Sequence, residues 1–223
     1  MKVLAIESSC DDTSFSIVSD EKSIDFIKTI NHRKFHKKHG GVIPEIAARQ
    51  HLDIMDYLQK SIKKFDFKKI DAIAATYGPG LIGGLIVGSS FAKGLSIARQ
   101  RKLIPINHLQ AHLLSPRLTS NLSFPYLCLL VSGGNTALVI VKSPKKFVTL
   151  GSTIDDSAGE CFDKVSKALG LGYPGGPVIE KLALKGDRYK YKLPLPLTKV
   201  KNCNFSFSGL KTCLLYTSPS PRD

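Results

Sequence analysis

The feature that most constrains the fold is a pattern that occurs twice, in which short apolar strands joined by tight turns are followed by helices. The first occurrence predicts three antiparallel strands, at residues 3–6, 14–18 and 24–29. The second predicts a strand at 126–131, a glycine turn at 132–134 and a returning strand at 136–141. We therefore expect an α/β chain with two related halves that face a nucleotide cleft.

Helices are predicted after each set of strands. Pro44 and Glu45 begin one, because proline fits the first helical position and an acid suits the first turn. Its apolar residues keep helical spacing as far as Ile62. A buried strand at 72–75 and a glycine turn then precede a helix over 82–99. In the second half, helices are predicted at 159–169 and at 178–185.

Two histidines, His108 and His112, lie four residues apart between two glycine-rich turns, at 77–81 and 131–136. If residues 107–115 are helical, both imidazoles lie on one face and can share a divalent metal. Glycine turns allow backbone N–H groups to approach an anion, as phosphate-binding loops do. The combination indicates nucleotide chemistry, although two polar residues on an exposed helix remain the alternative for such a pair taken alone.

The same segment excludes a zinc protease of the His-Glu-x-x-His type. That chemistry requires a glutamate directly after the first histidine as general base. Here Leu109 follows His108, and Gln110 leaves no carboxylate between the two histidines.

Charge and cysteine content bear on partners and location. The 223 residues contain 32 Lys and Arg against 18 Asp and Glu, a formal net charge of +14. Such an excess favours a polyanionic partner, nucleic acid first, although a lysine-rich proteome would produce it too. The five cysteines form no CxxC pair, which suits reduced thiols, and no apolar run reaches membrane-spanning length. A cytoplasmic protein without a membrane partner is predicted.

Eight stretches, in order between residues 2 and 212, resemble the bacterial tRNA N6-adenosine threonylcarbamoyltransferase family, TsaD (formerly Gcp), of the actin/Hsp70/sugar-kinase superfamily. They are 6–13 (Ile-Glu-Ser-Ser-Cys-Asp-Asp-Thr), 36–51 (with His-Gly-Gly-Val-Ile-Pro-Glu), 78–81, 107–112 (Asn-His-Leu-Gln-Ala-His), 130–136 (Leu-Val-Ser-Gly-Gly-Asn-Thr), 155–164, 173–177 and 205–212 (Phe-Ser-Phe-Ser-Gly-Leu-Lys-Thr).

The resemblance implies a two-lobed actin-like α/β fold with duplicated halves, the second half incomplete. We expect a first lobe at 1–115, a second, truncated lobe at 116–212, and a non-native tail at 213–223. The implied enzyme is an acyltransferase that moves a threonylcarbamoyl group from L-threonylcarbamoyl-adenylate to N6 of adenosine 37 in tRNA, releasing AMP. The implied partners are tRNA, that adenylate, a TsaB-like paralogue and a TsaE-like ATPase.

Functional residues follow from the resemblance in three groups. Asp11, in the turn after the first strand, is expected to be catalytic. His108 and His112 are expected to hold one divalent metal per subunit, Fe(II) ahead of Zn(II), with the family's third ligand, an aspartate, missing from this chain. The residues expected to bind the adenylate are Val131, Ser132, Gly133, Gly134, Asn135, Asp163 and Gly176.

The sequence differs from the family pattern at three positions, and several alternative interpretations remain open. Asp12 stands where the family commonly has Glu, Gln110 where it has Glu, and His39 where it has Tyr. The residues expected to bind the adenylate each have a structural alternative. Residues 131–135 could be a plain hairpin turn, Asp163 an acidic residue in the first turn of a helix, and Gly176 part of a turn that begins a helix. The alternative functions are a phosphotransferase of the sugar- or acetate-kinase type and a non-catalytic nucleotide- or RNA-binding module.

Overall fold

The structure is a computed structural model that describes residues 1–20, 23–36, 39–62 and 66–217. The chain divides into two compact units, Met1–Leu118 and Thr119–Asp223.

The first unit contains a five-stranded sheet. Its strands are β1 (Lys2–Glu7), β2 (Asp12–Ser19), β3 (Ile24–Asn31), β4 (Ala72–Gly78) and β5 (Lys102–Asn107), in the order β3-β2-β1-β4-β5. The first three strands are antiparallel, whereas β4 and β5 run parallel to β1. Parallel neighbours place their carboxyl ends at the same edge of the sheet. The ends of β1, β4 and β5, and the residues that follow them, therefore share one edge.

Helices complete the first unit. They are α1 (Arg33–His36), α2 (Pro44–Ile62), α3 (Ile82–Arg99) and α4 (His108–Leu114), with a short 3-10 turn at Phe67–Lys69. A further short helix, α5 (Pro116–Thr119), ends on the first residue of the second unit. Helices α2 and α3 pack on each other and on the sheet. The core between them is built from large apolar side chains that are almost wholly buried, among them Leu4, Phe15, Leu58, Ile62 and Ile73. Burial of these side chains stabilises the packing of the sheet against α2 and α3, and α4 begins directly after β5 of this sheet.

The second unit has a smaller sheet and its own helices. Strands β6 (Tyr126–Val131), β7 (Thr136–Ser143) and β8 (Lys146–Ser152) form an antiparallel meander. Helix α6 (Ala158–Ala168) packs against both α7 (Gly175–Ala183) and α8 (Ser208–Thr217). Asp155 joins this group to the sheet, because its carboxylate accepts hydrogen bonds from the Ser206 hydroxyl and the Phe207 backbone N–H.

Every strand and helix predicted from the pattern is present in the structure, with bounds that differ by a few residues. Helix α7 begins three residues earlier than predicted, at Gly175. Two strands were missed. β5 has a proline in its middle, which weakens its strand signal, and β8 contains a lysine and a glycine that hide its alternation.

Helix α8 was also missed, and it enters the segment predicted to be a non-native tail. Leu214, Leu215 and Tyr216 continue the helix that begins at Ser208. Lys211 helps to hold this helix, since its ammonium group pairs with the Asp156 carboxylate. The non-native origin of 213–223 stays a prediction, and residues 218–223 lie outside the described part of the chain.

In the described part of the chain, none of the helices combines the length and the apolar character that a membrane-spanning helix requires.

Candidate functional site

The two histidines of the predicted metal site lie on α4, directly after β5. Asn107 caps this helix, because its side-chain oxygen accepts a hydrogen bond from the Gln110 backbone N–H at 3.0 Å. The cap places His108 at the first helical position and His112 one turn later. Their Nε2 atoms are 3.2 Å apart, and the ring planes meet at 86°.

This arrangement fits two ligands of one metal ion. Imidazole nitrogens bind zinc at about 2.0–2.1 Å, so two of them at right or tetrahedral angles stand about 2.8–3.4 Å apart. The observed separation of 3.2 Å lies in that interval. Burial and the neighbouring His108 lower the pKa of His112, which favours the neutral form that binds metals. Within the described ranges, no group of three His, Cys, Asp or Glu side chains is arranged to hold a metal.

A carboxylate supports the histidine pair from the side of the sheet. Glu7, the last residue of β1, has its Oε2 atom 3.4 Å from Nδ1 of His108. Its Oε1 atom accepts the Ser9 backbone N–H at 2.6 Å, and Oε2 accepts the Thr76 hydroxyl. Burial alone would raise the pKa of Glu7, but hydrogen bonds with His108, Ser9 and Thr76 lower it to about 2. Glu7 is therefore ionised at neutral pH.

Glu7 was not among the predicted site residues, although it lies in the stretch that resembles the family. The available signal was an acid at the end of a buried parallel strand, where side chains meet those of the neighbouring strands. A depression of about 180 Å³ lies here, lined by Glu7, Thr76 and Ala111 together with other residues of the sheet.

Asp11 lies in the turn between β1 and β2, on the side of a buried histidine cluster. Its carbonyl oxygen accepts the His32 backbone N–H at 2.9 Å. The negative charge of Asp11 raises the pKa of His32, His36 and His51, against the larger lowering by burial. The carboxylate within reach of His108 is thus that of Glu7, and the catalytic role of Asp11 stays a prediction.

The histidine cluster holds the turn that carries Asp11. The Thr13 hydroxyl lies 2.9 Å from Nε2 of His32 and 2.7 Å from Nδ1 of His51, and all three residues are fully buried. Nε2 of His51 donates to the Cys10 carbonyl oxygen at 3.1 Å. His51 lies on α2, so these hydrogen bonds join that helix to the turn. Burial, then the nearby His51 and His36, lower the pKa of His32 to about 4.

Helix α3 approaches the end of β1 so closely that two of its glycines are required. A Cβ on Gly84 would lie 2.3 Å from the Ser8 carbonyl oxygen, and one on Gly88 would lie 2.0 Å from the Ser8 hydroxyl. The Ser8 hydroxyl donates to the Gly84 carbonyl oxygen at 2.9 Å. The small residues of this helix therefore serve close packing on a neighbouring backbone.

In the second unit, the predicted adenylate-binding turn joins β6 and β7. The Ser132 N–H donates to the Asn135 carbonyl oxygen at 2.8 Å, and the Asn135 N–H donates to the Ser132 hydroxyl at 3.0 Å. These hydrogen bonds within the turn are what a plain hairpin requires. A Cβ on Gly133 or Gly134 would meet nothing within 4 Å, so the outer side of this turn is open to a ligand.

The turn rests on the start of α6. The Ser157 hydroxyl donates to the Gly133 carbonyl oxygen at 2.6 Å, and the Gly159 N–H donates to the Ser132 carbonyl oxygen at 3.2 Å. A Cβ on Gly159 would stand 2.5 Å from that same Ser132 oxygen. Glycine at position 159 therefore allows the turn to lie against the helix N-terminus.

Asp163 lies on α6 and faces the start of α7, where Gly176 is the second residue. The Asp163 carboxylate accepts the Gly175 N–H of α7 at 2.7 Å, which makes it a support for that helix. A Cβ on Gly176 would meet nothing within 4 Å, so its backbone is accessible. The structure thus connects the turn, Asp163 and Gly176 through α6 and α7, and their binding roles stay predictions.

Residues 26–218 match the family profile described as TsaD: tRNA N6-adenosine threonylcarbamoyltransferase. A relative of that name from Thermotoga neapolitana is 48% identical over 229 residues, covering 100% of this chain and 69% of the relative. The chain belongs to the TsaD family. Relatives of the same name from Orientia tsutsugamushi (strain Boryong) and Rickettsia prowazekii are each 52% identical over 96% of this chain, and 63% and 56% of their own lengths are covered.

The chain thus spans between about half and about two thirds of the length of these TsaD relatives. A ROK family protein from Streptococcus pneumoniae shares the fold, with a TM-score of 0.52 at 16% identity over 83% of this chain and 68% of that one. The predicted family and actin-like α/β fold are confirmed. The names of the relatives do not favour the phosphotransferase alternative.

Proposed function

We propose that this protein transfers the threonylcarbamoyl group of L-threonylcarbamoyl-adenylate to N6 of adenosine 37 in tRNA. The observation that carries the proposal is the 48–52% identity with relatives named tRNA N6-adenosine threonylcarbamoyltransferase. In this reaction the adenine N6 nitrogen forms a bond to the carbamoyl carbon, the bond from that carbon to the phosphate oxygen breaks, and AMP leaves with its electron pair. The N6 nitrogen loses one proton. No covalent enzyme intermediate is needed, so the work consists of positioning and charge stabilisation.

His108 and His112 are the proposed metal ligands, and their facing Nε2 atoms support this role. A divalent metal held there, Fe(II) ahead of Zn(II), would supply a Lewis acid for the carbonyl group of the threonylcarbamoyl moiety. Glu7 would orient His108 through Nδ1, the ring nitrogen that does not bind the metal. Asp11 is the proposed catalytic acid, which would face the phosphate of the donor.

The turn from Val131 to Asn135 is the proposed cradle for the AMP part of the donor. Its open outer side, at Gly133 and Gly134, supports a close approach of phosphate or ribose to backbone N–H groups. The accessible backbone at Gly176 supports a second contact. Asp163 would act mainly by holding the start of α7, since its carboxylate already accepts the Gly175 N–H.

tRNA is the proposed acceptor, and the net charge of +14 supports its binding through the phosphate backbone. The positive charge is spread over both units, with 18 Lys and Arg against 11 Asp and Glu in residues 1–118, and 14 against 7 in the rest. A TsaB-like paralogue and a TsaE-like ATPase are the proposed protein partners, and the cytoplasm is the proposed location.

Single-turnover transfer of labelled threonylcarbamoyl to tRNA, with the partner proteins present, tests the proposal. We expect His108→Ala and His112→Ala to lower the transfer rate at least about a hundredfold, because one imidazole is too few to hold the metal. Gln110→Glu is the matched control on the same helix. It should keep the rate, because a side chain two residues from His108 points away from the metal face. Transfer at the wild-type rate by either alanine variant would overturn the metal assignment. If neither the wild type nor any variant transferred the group, the proposed function would be overturned.

A further inference from the structure

We propose that Glu7 is a positioning residue that fixes the tautomer of His108, so that the Nε2 lone pair of this histidine is free for a divalent cation. The inference rests on the proposed function in one respect only, namely that the two histidines hold a metal. It adds a residue outside the expected ligand set and a defined task for it.

The Glu7 carboxylate is held in place from two other directions. Its Oε1 atom accepts the Ser9 backbone N–H, and its Oε2 atom accepts the Thr76 hydroxyl from the neighbouring strand. The side chain therefore has a defined orientation before any ligand arrives. From this position Oε2 reaches Nδ1 of His108 at 3.4 Å.

A second group competes for the same nitrogen of His108. The Ser9 hydroxyl lies 3.1 Å from Nδ1 and could either donate to it or accept from it. Donation would require a lone pair on Nδ1, and would place the proton on Nε2, where a metal should bind. A lone pair on Nδ1 would also face the Glu7 carboxylate, which repels it. The carboxylate therefore selects the form with N–H on Nδ1, and the Ser9 hydroxyl becomes an additional acceptor.

The consequence appears on the other side of the ring. With Nδ1 protonated, His108 directs the Nε2 lone pair at Nε2 of His112, 3.2 Å away. In the absence of a cation, an N–H on His112 satisfies this lone pair. A cation would replace that hydrogen, so only His112 has to change its form on binding. Carboxylate partners of this kind orient metal-binding histidines in many proteins.

Two measurements on the full chain test the inference. The first is the dissociation constant for Zn(II), from competition with a chelator, and the second is the 15N NMR signal pair of His108 in metal-free protein, which reports the tautomer directly. Glu7→Gln should weaken Zn(II) binding by about 10- to 100-fold. It should also shift His108 toward the form with N–H on Nε2, because the Ser9 hydroxyl then donates to Nδ1.

Three further variants keep the result interpretable. Ser9→Ala should leave both readouts within about twofold of the wild type, since the carboxylate remains. Thr76→Val should lower Zn(II) affinity in the same direction as Glu7→Gln but less, and it serves if Glu7→Gln fails to fold. Glu45→Gln removes an equal charge from an exposed position on α2 and should change neither readout.

The outcomes separate this inference from the proposed function. Loss of Zn(II) binding in His108→Ala, together with unchanged affinity and tautomer in Glu7→Gln, would overturn the role of Glu7 and leave the metal site standing. Wild-type Zn(II) binding in His108→Ala and His112→Ala would overturn the metal site itself. A tautomer change in Ser9→Ala equal to that in Glu7→Gln would assign the selection to the hydroxyl and overturn the inference.

Discussion

The two units of this protein offer chemically different groups to their expected ligands. In residues 1–118 the candidate atoms belong to side chains, and all six histidines of the sequence are in this part. In the second unit the candidate atoms are backbone N–H groups of a glycine turn and of the helix start at Gly176. The geometry of a site built from side chains depends on the groups that hydrogen-bond to each imidazole ring and orient it. A site built from backbone N–H groups depends on glycine, because the absence of a Cβ allows a ligand to approach the backbone.

This difference explains where each unit is constrained. The histidine pair needs Glu7 to orient it, and the Cys10–Asp11 turn needs the buried Thr13, His32 and His51. The glycine turn needs only Ser157 and Gly159 behind it, and its front is open. The first unit should therefore respond to pH and to packing changes, and the second to methyl groups added at the turn.

The largest effect should come from one methyl group in the first unit. We expect Gly84→Ala to lower the free energy of unfolding by about 3 kcal/mol, because its Cβ would overlap the Ser8 backbone oxygen, which cannot move without the strand. Chemical denaturation measures this. Gly94→Ala, in the same helix but with nothing within 4 Å of its Cβ, should be neutral or stabilising by up to about 1 kcal/mol. Equal stability of the two variants would show that α3 is not closely packed on Ser8.

A smaller effect should separate the units by pH. The folded protein lowers the pKa of His32 from 6.5 to about 4, through burial and then through His51 and His36. Unfolded chains therefore take up a proton that the folded unit does not, and stability falls as the pH drops from about 6.5 toward 4. From His32 alone the loss between pH 7.5 and pH 5 should be about 2 kcal/mol.

Hydrogen exchange, corrected for the intrinsic effect of pH, resolves this loss by region. Protection in β1, β2 and α2 should fall between pH 7 and pH 5. The second unit has no histidine. At Asp155, burial is outweighed by hydrogen bonds from Ser206 and Phe207, and at Asp156 hydrogen bonds from Lys164 and Lys211 act, so the pKa of each carboxyl lies below the usual aspartate value and the stability of this unit should fall only in more acidic solution. Equal loss of protection in both units above pH 5 would contradict this comparison.

The sequence predicted most elements because their apolar spacing was regular, and it predicted the pairing of His108 with His112 because they are one helical turn apart. Glu7 could not be found in this way, since its contact with His108 joins residues about a hundred positions apart and depends on β1, β4 and β5 running parallel. The role of Asp163 as a support for α7 was likewise not predictable, because it depends on the contact of its carboxylate with the Gly175 N–H twelve residues later. Strand β5 was missed because Pro105 interrupts its pattern, although the strand directly positions α4.

The central claim is that side chains of the first unit hold a metal while backbone of the second holds AMP, and two titrations on two variants test it most directly. Zn(II) and AMP dissociation constants are measured for the wild type, His108→Ala and Gly134→Ala. We expect His108→Ala to lose most Zn(II) affinity and keep AMP affinity within about twofold. Gly134→Ala, whose methyl group enters open space in front of the turn, should keep Zn(II) affinity and stability but weaken AMP binding about tenfold or more. Unchanged AMP binding in Gly134→Ala, or unchanged Zn(II) binding in His108→Ala, would contradict the account.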